Sequence, residues 1–265
     1  MKDQLVGNDK IGKEIRCNKQ TLIPGHKGYA SIVFWGDVHL GHPKCNIQRA
    51  KEMLVYCLKH RIYIIGMGDM LECGTRISIG DSVYEQKLNP QEQMEEMLDI
   101  LRPMAKAGLI LGLHEGNHEQ RISNLGGLNI VKNMCRELQV PYLGYTCWHY
   151  LRVGKYNYTL YTTHGKSGAK FKHSKMKVVT DLAAFVEPDV VAMGHVHENL
   201  ITFFKRMYYD TRNKTIKDRK IYLLLTGAYL EYDGSYAQDA GMPPAGLGSP
   251  KLQFYGTKKS IHGST

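Results

Sequence analysis

Short apolar runs rich in β-branched and aromatic residues recur along the chain, and each is bounded by glycine or polar residues. This pattern predicts buried β-strands. The runs are SIVFWGD (31–37), RIYIIGMGD (61–69), LILGLHEGNH (109–118), YTLYTTHG (158–165), DVVAMGHVH (189–197) and IYLLLTGAY (221–229).

Stretches with helical periodicity separate these runs. A first helix is predicted because apolar residues recur at three- and four-residue spacing, at Ala50, Met53, Leu54, Cys57 and Leu58. A second is predicted to begin at Asn89, since asparagine caps helices, Pro90 suits the first position and Glu92 can complete a capping box. Two more are predicted over about 131–138 and 174–186. This alternation predicts a layered α/β fold.

The last third of the chain has a different pattern. Two β-rich stretches, 201–210 and 219–232, flank a polar turn and predict a β-hairpin. From residue 234 onward glycine and proline are frequent, which predicts an irregular segment with a final short strand. We predict one domain over 1–265, with an N-terminal extension over 1–28 and an irregular C-terminal segment over 234–265.

The composition is that of a globular protein, with 43% hydrophobic and 23% charged residues. No apolar stretch reaches the length of a signal peptide or a membrane span, so we predict a cytoplasmic protein without a membrane partner. The cysteines are scattered without a close pair, which predicts free and mostly buried thiols. They are Cys17, Cys45, Cys57, Cys73, Cys135 and Cys147.

Basic residues outnumber acidic ones. The 35 Lys and Arg against 25 Asp and Glu give a formal net charge of +10. An excess of positive charge attracts polyanions. The charge therefore favours a phosphodiester partner such as DNA or RNA.

Five of the apolar runs end, on their carboxyl side, in residues that can bind a cation. Taken singly, such residues are more often turn residues or helix caps. In open α/β sheets, however, the functional crevice lies beyond the carboxyl ends of the strands, where side chains far apart in sequence meet. We therefore predict a metal site built from Asp37, His39, Asp69, Asn117, His164, His195 and His197.

The ligand types indicate which cations would bind. Carboxylate, amide and imidazole ligands suit Mn, Fe or Zn better than the all-oxygen sites of Ca, and no cysteine is among them. Asp69 could bridge two cations through its two oxygens. Two cations about 3.5 to 4 Å apart can activate water and stabilise displacement at phosphorus. We predict two divalent ions, with Mn²⁺ as first choice and Fe, Zn or Ni as alternatives.

The ordered motifs GDVHLGH, GMGD, GNHE, THG and GHVH resemble those of the calcineurin-like metallophosphoesterase superfamily. Their form is closer to the nuclease and phage-type branches than to Ser/Thr protein phosphatases. The resemblance implies a two-sheet αββα sandwich with a dinuclear site at the carboxyl ends of the strands. It implies a first metal on Asp37, His39, Asp69 and His197. It implies a second metal on Asp69, Asn117, His164 and His195, with His118 contacting the phosphate and protonating or steering the leaving group.

The chain departs from the protein-phosphatase pattern in two places. Protein phosphatases follow the second motif with Val-Asp-Arg-Gly and place Arg before GNHE. This chain has Met70-Leu71-Glu72-Cys73 and Glu115 instead. These departures argue against a phosphoprotein substrate.

Residues near the motifs are candidates for holding the substrate. Arg121 follows GNHE and His42 follows the first motif. Lys170 and Lys172 belong to the lysine-rich stretch KSGAKFKHSKMK (166–177), where Phe171 could stack on a base. The alternative is an ordinary solvated basic loop. His114, inside an apolar strand, is predicted to be a core residue.

These observations predict a metal-dependent hydrolase of phosphate esters. Its first-choice substrate is a phosphodiester in nucleic acid or a nucleotide, with Asp69 and His118 as catalytic residues. A phosphomonoesterase is the alternative among enzymes. An inactive scaffold or a nucleic-acid-binding module of the same fold is the alternative from another class; a scaffold would have lost ligands, whereas every expected position is filled.

Overall fold

Every apolar run contributes a strand to the computed structural model, which describes residues 16–76, 78, 82–233, 238, 241, 243–244 and 246–265. In these ranges the strands are β1 (Arg16–Leu22), β2 (Tyr29–Trp35), β3 (Tyr63–Gly66), β4 (Ile110–His114), β5 (Tyr142–Gly144), β6 (Thr146–Val153), β7 (Tyr156–Thr163), β8 (Val190–Met193), β9 (Asn199–Asp210), β10 (Thr215–Thr226), β11 (Lys251–Tyr255) and β12 (Ile261–Ser264). The helices are α1 (Ile47–His60), α2 (Ser82–Glu85), α3 (Pro90–Lys106), α4 (Asn117–Gly126), α5 (Ile130–Leu138) and α6 (Lys172–Phe185).

Within the described residues, the strands form two six-stranded sheets. Sheet A has the order β1-β6-β7-β8-β10-β9, and sheet B has the order β12-β11-β2-β3-β4-β5. Strands β2 to β5 run parallel to one another, and so do β7, β8 and β10. Because parallel strands share a direction, the carboxyl ends of each set lie at one edge of their sheet.

The two sheets pack face to face on an apolar core. Its fully buried side chains include Ile32, Phe34, Leu151, Tyr158 and Phe254. Burying one such side chain stabilises the fold by roughly 1.5–3 kcal/mol. The core therefore fixes the position of one sheet relative to the other.

Helices pack on the outer face of each sheet. On sheet B, α1, α3 and α5 bury Leu54, Leu101 and Met134. On sheet A, α6 packs Val179 and Ala183 against β8 and β10. This arrangement confirms the predicted two-sheet α/β sandwich. None of the described helices combines the length and the apolar character needed to cross a bilayer.

Local signals place several elements where the sequence predicts them. The side chain of Asn89 accepts from the N–H groups of Gln91 and Glu92, and the Glu92 carboxylate accepts from Asn89 N–H at 2.8 Å. This is the predicted capping box at the start of α3. The predicted hairpin is formed by β9 and β10, which pair along their full length.

The cysteines are free thiols, as predicted. All six lie in the described residues; Cys17 and Cys45 are partly exposed and the others are buried. Burial raises the pKa of the Cys57 and Cys135 thiols to about 12. Such thiols are poor nucleophiles and act as packing residues.

The structure differs from the sequence prediction at both ends and after β4. Within the predicted extension over 1–28, β1 pairs with β6, while residues 1–15 lie outside the described residues. Within the predicted irregular segment over 234–265, β11 pairs with β2 and with β12. The apolar run 109–118 leaves the sheet after His114 and enters α4, which the sequence does not predict. The single-domain interpretation stays a prediction.

Candidate metal centre

The predicted ligands lie together where the parallel strands of both sheets end. Asp37, Asp69 and Asn117 follow β2, β3 and β4 of sheet B. His164 follows β7 of sheet A, and His195 and His197 follow β8. The site therefore spans the junction between the two sheets, and most of these side chains are buried: Asp37, His39, Asp69 and His164 are each at most 1% exposed.

One group of ligand atoms comes from Asp37, His39 and His197, which lie within 4.8 Å of one another. Nε2 of His39 is 3.2 Å from Nε2 of His197, which is 3.4 Å from Oδ1 of Asp37. Two imidazole nitrogens at this distance repel unless a proton or a cation lies between them. The arrangement fits a cation.

A second group comes from Asp69, His164 and His195, and a third joins Asp69 to His39 and His118. Nε2 of His164 is 3.1 Å from Oδ2 of Asp69 and 3.0 Å from Oδ1 of Asn117. Asp69 thus belongs to groups on both sides of the site. This is the position expected of a carboxylate that is shared between two cations.

Hydrogen bonds turn the imidazole rings toward the shared space. Nδ1 of His164 donates to the Met67 carbonyl at 2.9 Å, and Nδ1 of His39 faces Oε2 of Glu72 at 3.0 Å. Both rings are left with Nε2 pointing at the other ligands. Nε2 of His195 donates to the Ser167 carbonyl at 3.1 Å, which leaves Nδ1 as its ligand atom. Metal-binding histidines are commonly oriented in this way.

The backbone of the site is strained. Five of the seven predicted ligands have a positive φ, between 46° and 67°: Asp37, His39, Asp69, His195 and His197. This conformation is uncommon for residues other than glycine and costs on the order of 1 kcal/mol or more at each position. Strain concentrated at one point persists only where the surrounding fold enforces it, as at binding sites.

The electrostatics of the site also favour a cation. Burial opposes charging of His164, but Asp69 and Asp37 outweigh it and raise the pKa of His164 to about 10. Burial would raise the pKa of Asp69, yet the neighbouring histidines hold it well below its ordinary value. For His39, burial dominates and lowers the pKa to about 4, so at neutral pH this imidazole is uncharged and can offer a nitrogen lone pair to a metal ion. Neutral imidazole and ionised carboxylate are the forms that bind metals.

Glu72 is a site residue that the sequence reasoning missed. Besides facing His39, its Oε2 lies 3.3 Å from Nδ1 of His118, and its carbonyl accepts from His118 and Arg121 at 2.9 and 3.1 Å. Burial opposes ionisation of Glu72, but His118 and His39 keep its pKa below the ordinary value. Nothing in its local pattern signals this role, because its partners are 33 to 49 residues away.

Glu119 is a second missed residue. It is 2% exposed, and its carboxylate accepts from the N–H groups of Gly116, Asp69 and Leu71 at 2.8, 3.1 and 3.0 Å. Three donors on one carboxylate hold the loop after β3 against the start of α4. The side chain therefore fixes the spacing between Asp69 and Asn117.

The structure places His118 beside His39 and Asp69, and Arg121 lies next to His118. Burial opposes charging of His118, but Asp69 and Glu72 raise its pKa above the ordinary value. Nη2 of Arg121 is 3.0 Å from Nε2 of His118. His42 lies in the loop after His39, where its Nδ1 accepts from Lys44 N–H at 3.0 Å.

The lysine-rich stretch is less open than its sequence suggests. Lys175 is buried and lies 3.5 Å from Glu198, and Lys172 lies 3.6 Å from the same residue. Lys170 is exposed, and the exposed rings of Phe171 and His173 are stacked with centroids 6.0 Å apart. The structure thus brings Lys172 near His197 through Glu198. Substrate contacts by Lys170, Lys172 and His42 stay predictions.

His114 is a core residue, as predicted. It is fully buried, its Nδ1 donates to the Gly144 carbonyl at 2.9 Å, and its Nε2 accepts from Thr162 at 2.7 Å. Burial lowers its pKa to about 3. With both nitrogens satisfied inside the protein, it is not part of the metal site.

Comparison with known proteins finds neither a matching family model nor a matching curated protein. Several solved structures are similar to this chain. One is a conserved protein of Streptococcus pneumoniae described as a predicted phosphoesterase (TM-score 0.40, 10% identity, covering 89% of this chain and 90% of that one). Others are vacuolar protein sorting 29 of Cryptosporidium parvum (0.42, 14%, 89% and 97%) and a metallophosphoesterase of Sphaerobacter thermophilus (0.42, 14%, 88% and 86%). Structures as distant as these need not share an activity with this chain.

Proposed function

We propose that this protein is a phosphodiesterase that uses two divalent cations and acts on nucleic acid or a nucleotide. The observation that carries the proposal is the convergence of the predicted ligands from both sheets, with Asp69 in groups on either side. Strained backbone and oriented imidazoles support it, because a purely structural cluster would need neither.

The proposed ligands form two sets, one for each cation. Asp37, His39, Asp69 and His197 would hold one cation, and Asp69, Asn117, His164 and His195 would hold the other. When bound, such cations polarise a phosphoryl group and lower the pKa of a water molecule. Mn²⁺ is the proposed ion, with Fe, Zn or Ni as alternatives.

His118 is proposed as the residue that serves the leaving group. Its Nδ1 donates to the Glu72 carbonyl, and Asp69 and Glu72 raise its pKa above the ordinary value, which favours the protonated ring. As water adds to phosphorus and the bond to the leaving oxygen breaks, Nε2 of His118 would give its proton to that oxygen, and the proton that the water loses would pass to solvent, from which His118 is reprotonated. Arg121 reaches Nε2 in the free protein, so a phosphate entering between them would accept from both.

A phosphodiester is preferred to other phosphate esters for two reasons. The net charge of +10 favours a polyanion. The chain also lacks the Val-Asp-Arg-Gly sequence after the second motif and the Arg before GNHE that protein phosphatases have. Lys170, Lys172 and His42 are proposed as further substrate contacts at the rim of the site. A cytoplasmic location belongs to the same proposal.

The test is a panel of Mn²⁺-supported assays on single-stranded DNA, duplex DNA, RNA, cyclic nucleotides and phosphomonoesters. We expect phosphodiester hydrolysis that Asp69→Asn abolishes and that Asp99→Asn leaves unchanged, because Asp99 is an exposed carboxylate on α3. Activity that survives Asp69→Asn would show that the site is wrong. Purified protein that binds no metal and turns over no substrate would favour a scaffold, and turnover of monoesters alone would favour a phosphomonoesterase.

A further inference from the structure

The outer face of β1, β6 and β7 carries an unusual set of side chains. Residues alternate between the two faces of a strand, and those of the other face, such as Leu22, Leu151 and Leu160, lie in the core between the sheets. The outward residues are Cys17, Lys19, Thr21, Thr146, Trp148, Tyr150, Arg152, Asn157, Thr159, Tyr161 and Thr163. Three aromatic and two basic residues therefore lie on a sheet face that points away from the core.

Strand register arranges these residues in rows across the sheet. Cys17, Trp148 and Tyr161 form one row, and Lys19, Tyr150 and Thr159 form the next. The rings of Trp148 and Tyr161 meet edge to face, with centroids 5.4 Å apart. The result is a rigid aromatic surface rather than a set of separate side chains.

Among the residues that the structure describes, several side chains of this surface are exposed to solvent. Tyr150 is 41% exposed, Lys19 and Arg152 are exposed, and Trp148 and Tyr161 are partly exposed. Helix α6 packs on β8 and β10 of the same sheet, beside this surface. A shallow cavity of about 460 Å³ lies next to Trp148, with lining residues that include Arg16, Cys17, Lys19 and Tyr150. Exposed aromatic patches on soluble proteins commonly mark binding sites.

The charge of the surface has one sign. The three strands contain no aspartate or glutamate, whereas they contribute Lys19 and Arg152 to this face. The carboxylate of Asp189 accepts from Thr159 N–H at the margin, but it is paired with Lys259 at 2.7 Å. A second copy of the chain would meet like charge here, while an anionic ligand would be attracted.

The surface also lies close to the metal centre. Tyr161 precedes His164 by three residues, so it is about 10 Å from the site along β7 at the rise of an extended strand. In β6, Trp148 pairs with Tyr161 near the same end of the sheet. A chain bound over Tyr150 and Trp148 would run along β6 toward the end of the sheet at which His164 follows β7.

We propose that this face binds single-stranded nucleic acid, with bases stacked on Trp148 and Tyr150 and phosphates contacted by Lys19 and Arg152. Aromatic rings beside basic residues are the common way to hold single strands, because stacking requires bases that are not paired in a duplex. The inference rests on the proposed function where it names single-stranded nucleic acid as the substrate of the metal centre. The binding itself needs no catalysis.

The two tryptophans of the chain allow a direct measurement. Trp35 is fully buried, so Trp35→Phe leaves Trp148 as the reporter of the surface. In EDTA, oligothymidylate is expected to quench this fluorescence to saturation. Anisotropy of a fluorescein-labelled oligothymidylate with the native tryptophans present gives the same affinity independently, in case Trp35→Phe does not fold.

Single substitutions then assign the contacts. Tyr150→Ala is expected to weaken binding about 5- to 150-fold, the usual effect of removing one stacking ring. Lys19→Ala is expected to lower the slope of log affinity against log salt by about 0.7, the value for one phosphate contact on a single strand. The matched control is Phe185→Ala, which removes a ring that is 86% exposed at the far end of α6 and should change neither quantity.

Three results would overturn the inference: unchanged affinity in Tyr150→Ala, equal binding of duplex and single strands, or a dimer that Tyr150→Ala converts to a monomer without weakening oligothymidylate binding. Hydrolysis assays separate this inference from the proposed function. Tyr150→Ala should raise KM for single-stranded DNA and leave turnover of bis-p-nitrophenyl phosphate unchanged. If oligothymidylate binds as expected and no phosphodiester is hydrolysed with Mn²⁺, the surface stands and the proposed function fails.

Discussion

Gly116 precedes the ligand Asn117 and lies against another ligand, Asp69. A Cβ at this position would overlap the carboxylate and the N–H group of Asp69. Its φ is −105°, so the requirement for glycine here is one of space and not of backbone conformation. The close approach lets the loops after β3 and β4 present their ligands to the same point.

We expect Gly116→Ala to fold but to lose at least about 100-fold in Mn²⁺-dependent kcat/KM, since displacing a site by about 1 Å costs that much. Mn²⁺ affinity from calorimetry should fall with it. Gly126→Ala is the control, because a Cβ there meets nothing within 4 Å; its expected effect is a helix stabilised by up to about 1 kcal/mol with unchanged activity. Equal activity in both variants would contradict the assigned packing.

Glu72 offers a second test, because it contacts two site histidines without being one of the predicted metal ligands. Glu72→Gln keeps the shape of the side chain and removes its charge. We expect Mn²⁺ affinity or kcat to fall about 10- to 100-fold, the usual loss when the partner of a metal-binding histidine is changed. Glu137→Gln on α5, 49% exposed, should be silent. A silent Glu72→Gln would mean that backbone contacts alone orient His39 and His118.

The predictability of the site differs from residue to residue. The metal ligands Asp37, Asp69 and His164 could be predicted because each follows a strand and the carboxyl ends of parallel strands lie at one edge of the sheet. Glu72 and Glu119 could not, since their contacts with His39, Leu71 and Asp69 join residues 33 to 50 positions apart and no local pattern records such contacts. The left-handed backbone of the ligands was also beyond prediction, because aspartate and histidine adopt it only where the fold enforces it.

At the level of elements, a chain of hydrogen bonds joins the two sheets through their core. The amide of Asn18 on β1 donates to Nδ1 of His149 on β6 at 3.4 Å, and Nε2 of His149 donates to Thr162 on β7 at 2.7 Å. Thr162 donates to His114 on β4, which donates to Gly144 on β5 at 2.9 Å. Every polar atom along this path is satisfied only while both histidines are neutral.

These histidines should make the fold sensitive to acid. Burial lowers the pKa of His114 and of His149 to about 3 from the ordinary 6.5, so between these values the unfolded chain binds protons that the folded chain does not. The free energy of unfolding is highest above pH 6.5. It falls as the pH drops below this value, and at pH 5 each histidine lowers it by about 2 kcal/mol.

Urea unfolding in EDTA measures this effect. Between pH 7 and pH 5, His149→Gln should lose less stability than the parent by about 2 kcal/mol, whatever its own cost at pH 7. His173→Gln, which changes an exposed histidine, should behave like the parent. An identical pH response in His149→Gln and parent would show that His149 already takes up a proton in the fold.

Elements whose own residues carry a clear apolar pattern could be predicted. Elements that form only because a distant strand lies beside them could not. Helix α3 has its own cap and buried stripe, so its limits follow from local residues. By contrast, β1 and β11 are strands only because β6 and β2 lie beside them. Helix α4 begins inside an apolar run, where the carboxylate of Glu119 accepts from Gly116 N–H and supports the turn out of the sheet.

For the whole molecule, the proposed metal centre ties the two sheets together. Sheet B supplies Asp37, His39, Asp69 and Asn117, and sheet A supplies His164, His195 and His197. A cation held by both sets binds the folded chain far better than the unfolded one. Binding should therefore add to the free energy of unfolding by linkage.

The expected result is a melting temperature that rises with Mn²⁺ concentration. At a free concentration of about 100 times Kd the gain is about 2.7 kcal/mol, which corresponds to roughly 5 to 11 °C for a chain of this size. Asp69→Asn removes the ligand common to both proposed positions, so its melting curves with EDTA and with Mn²⁺ should coincide, whereas Asp99→Asn should respond like the parent. A full Mn²⁺ shift in Asp69→Asn would place the bound ion elsewhere, because both proposed positions take Asp69 as a ligand.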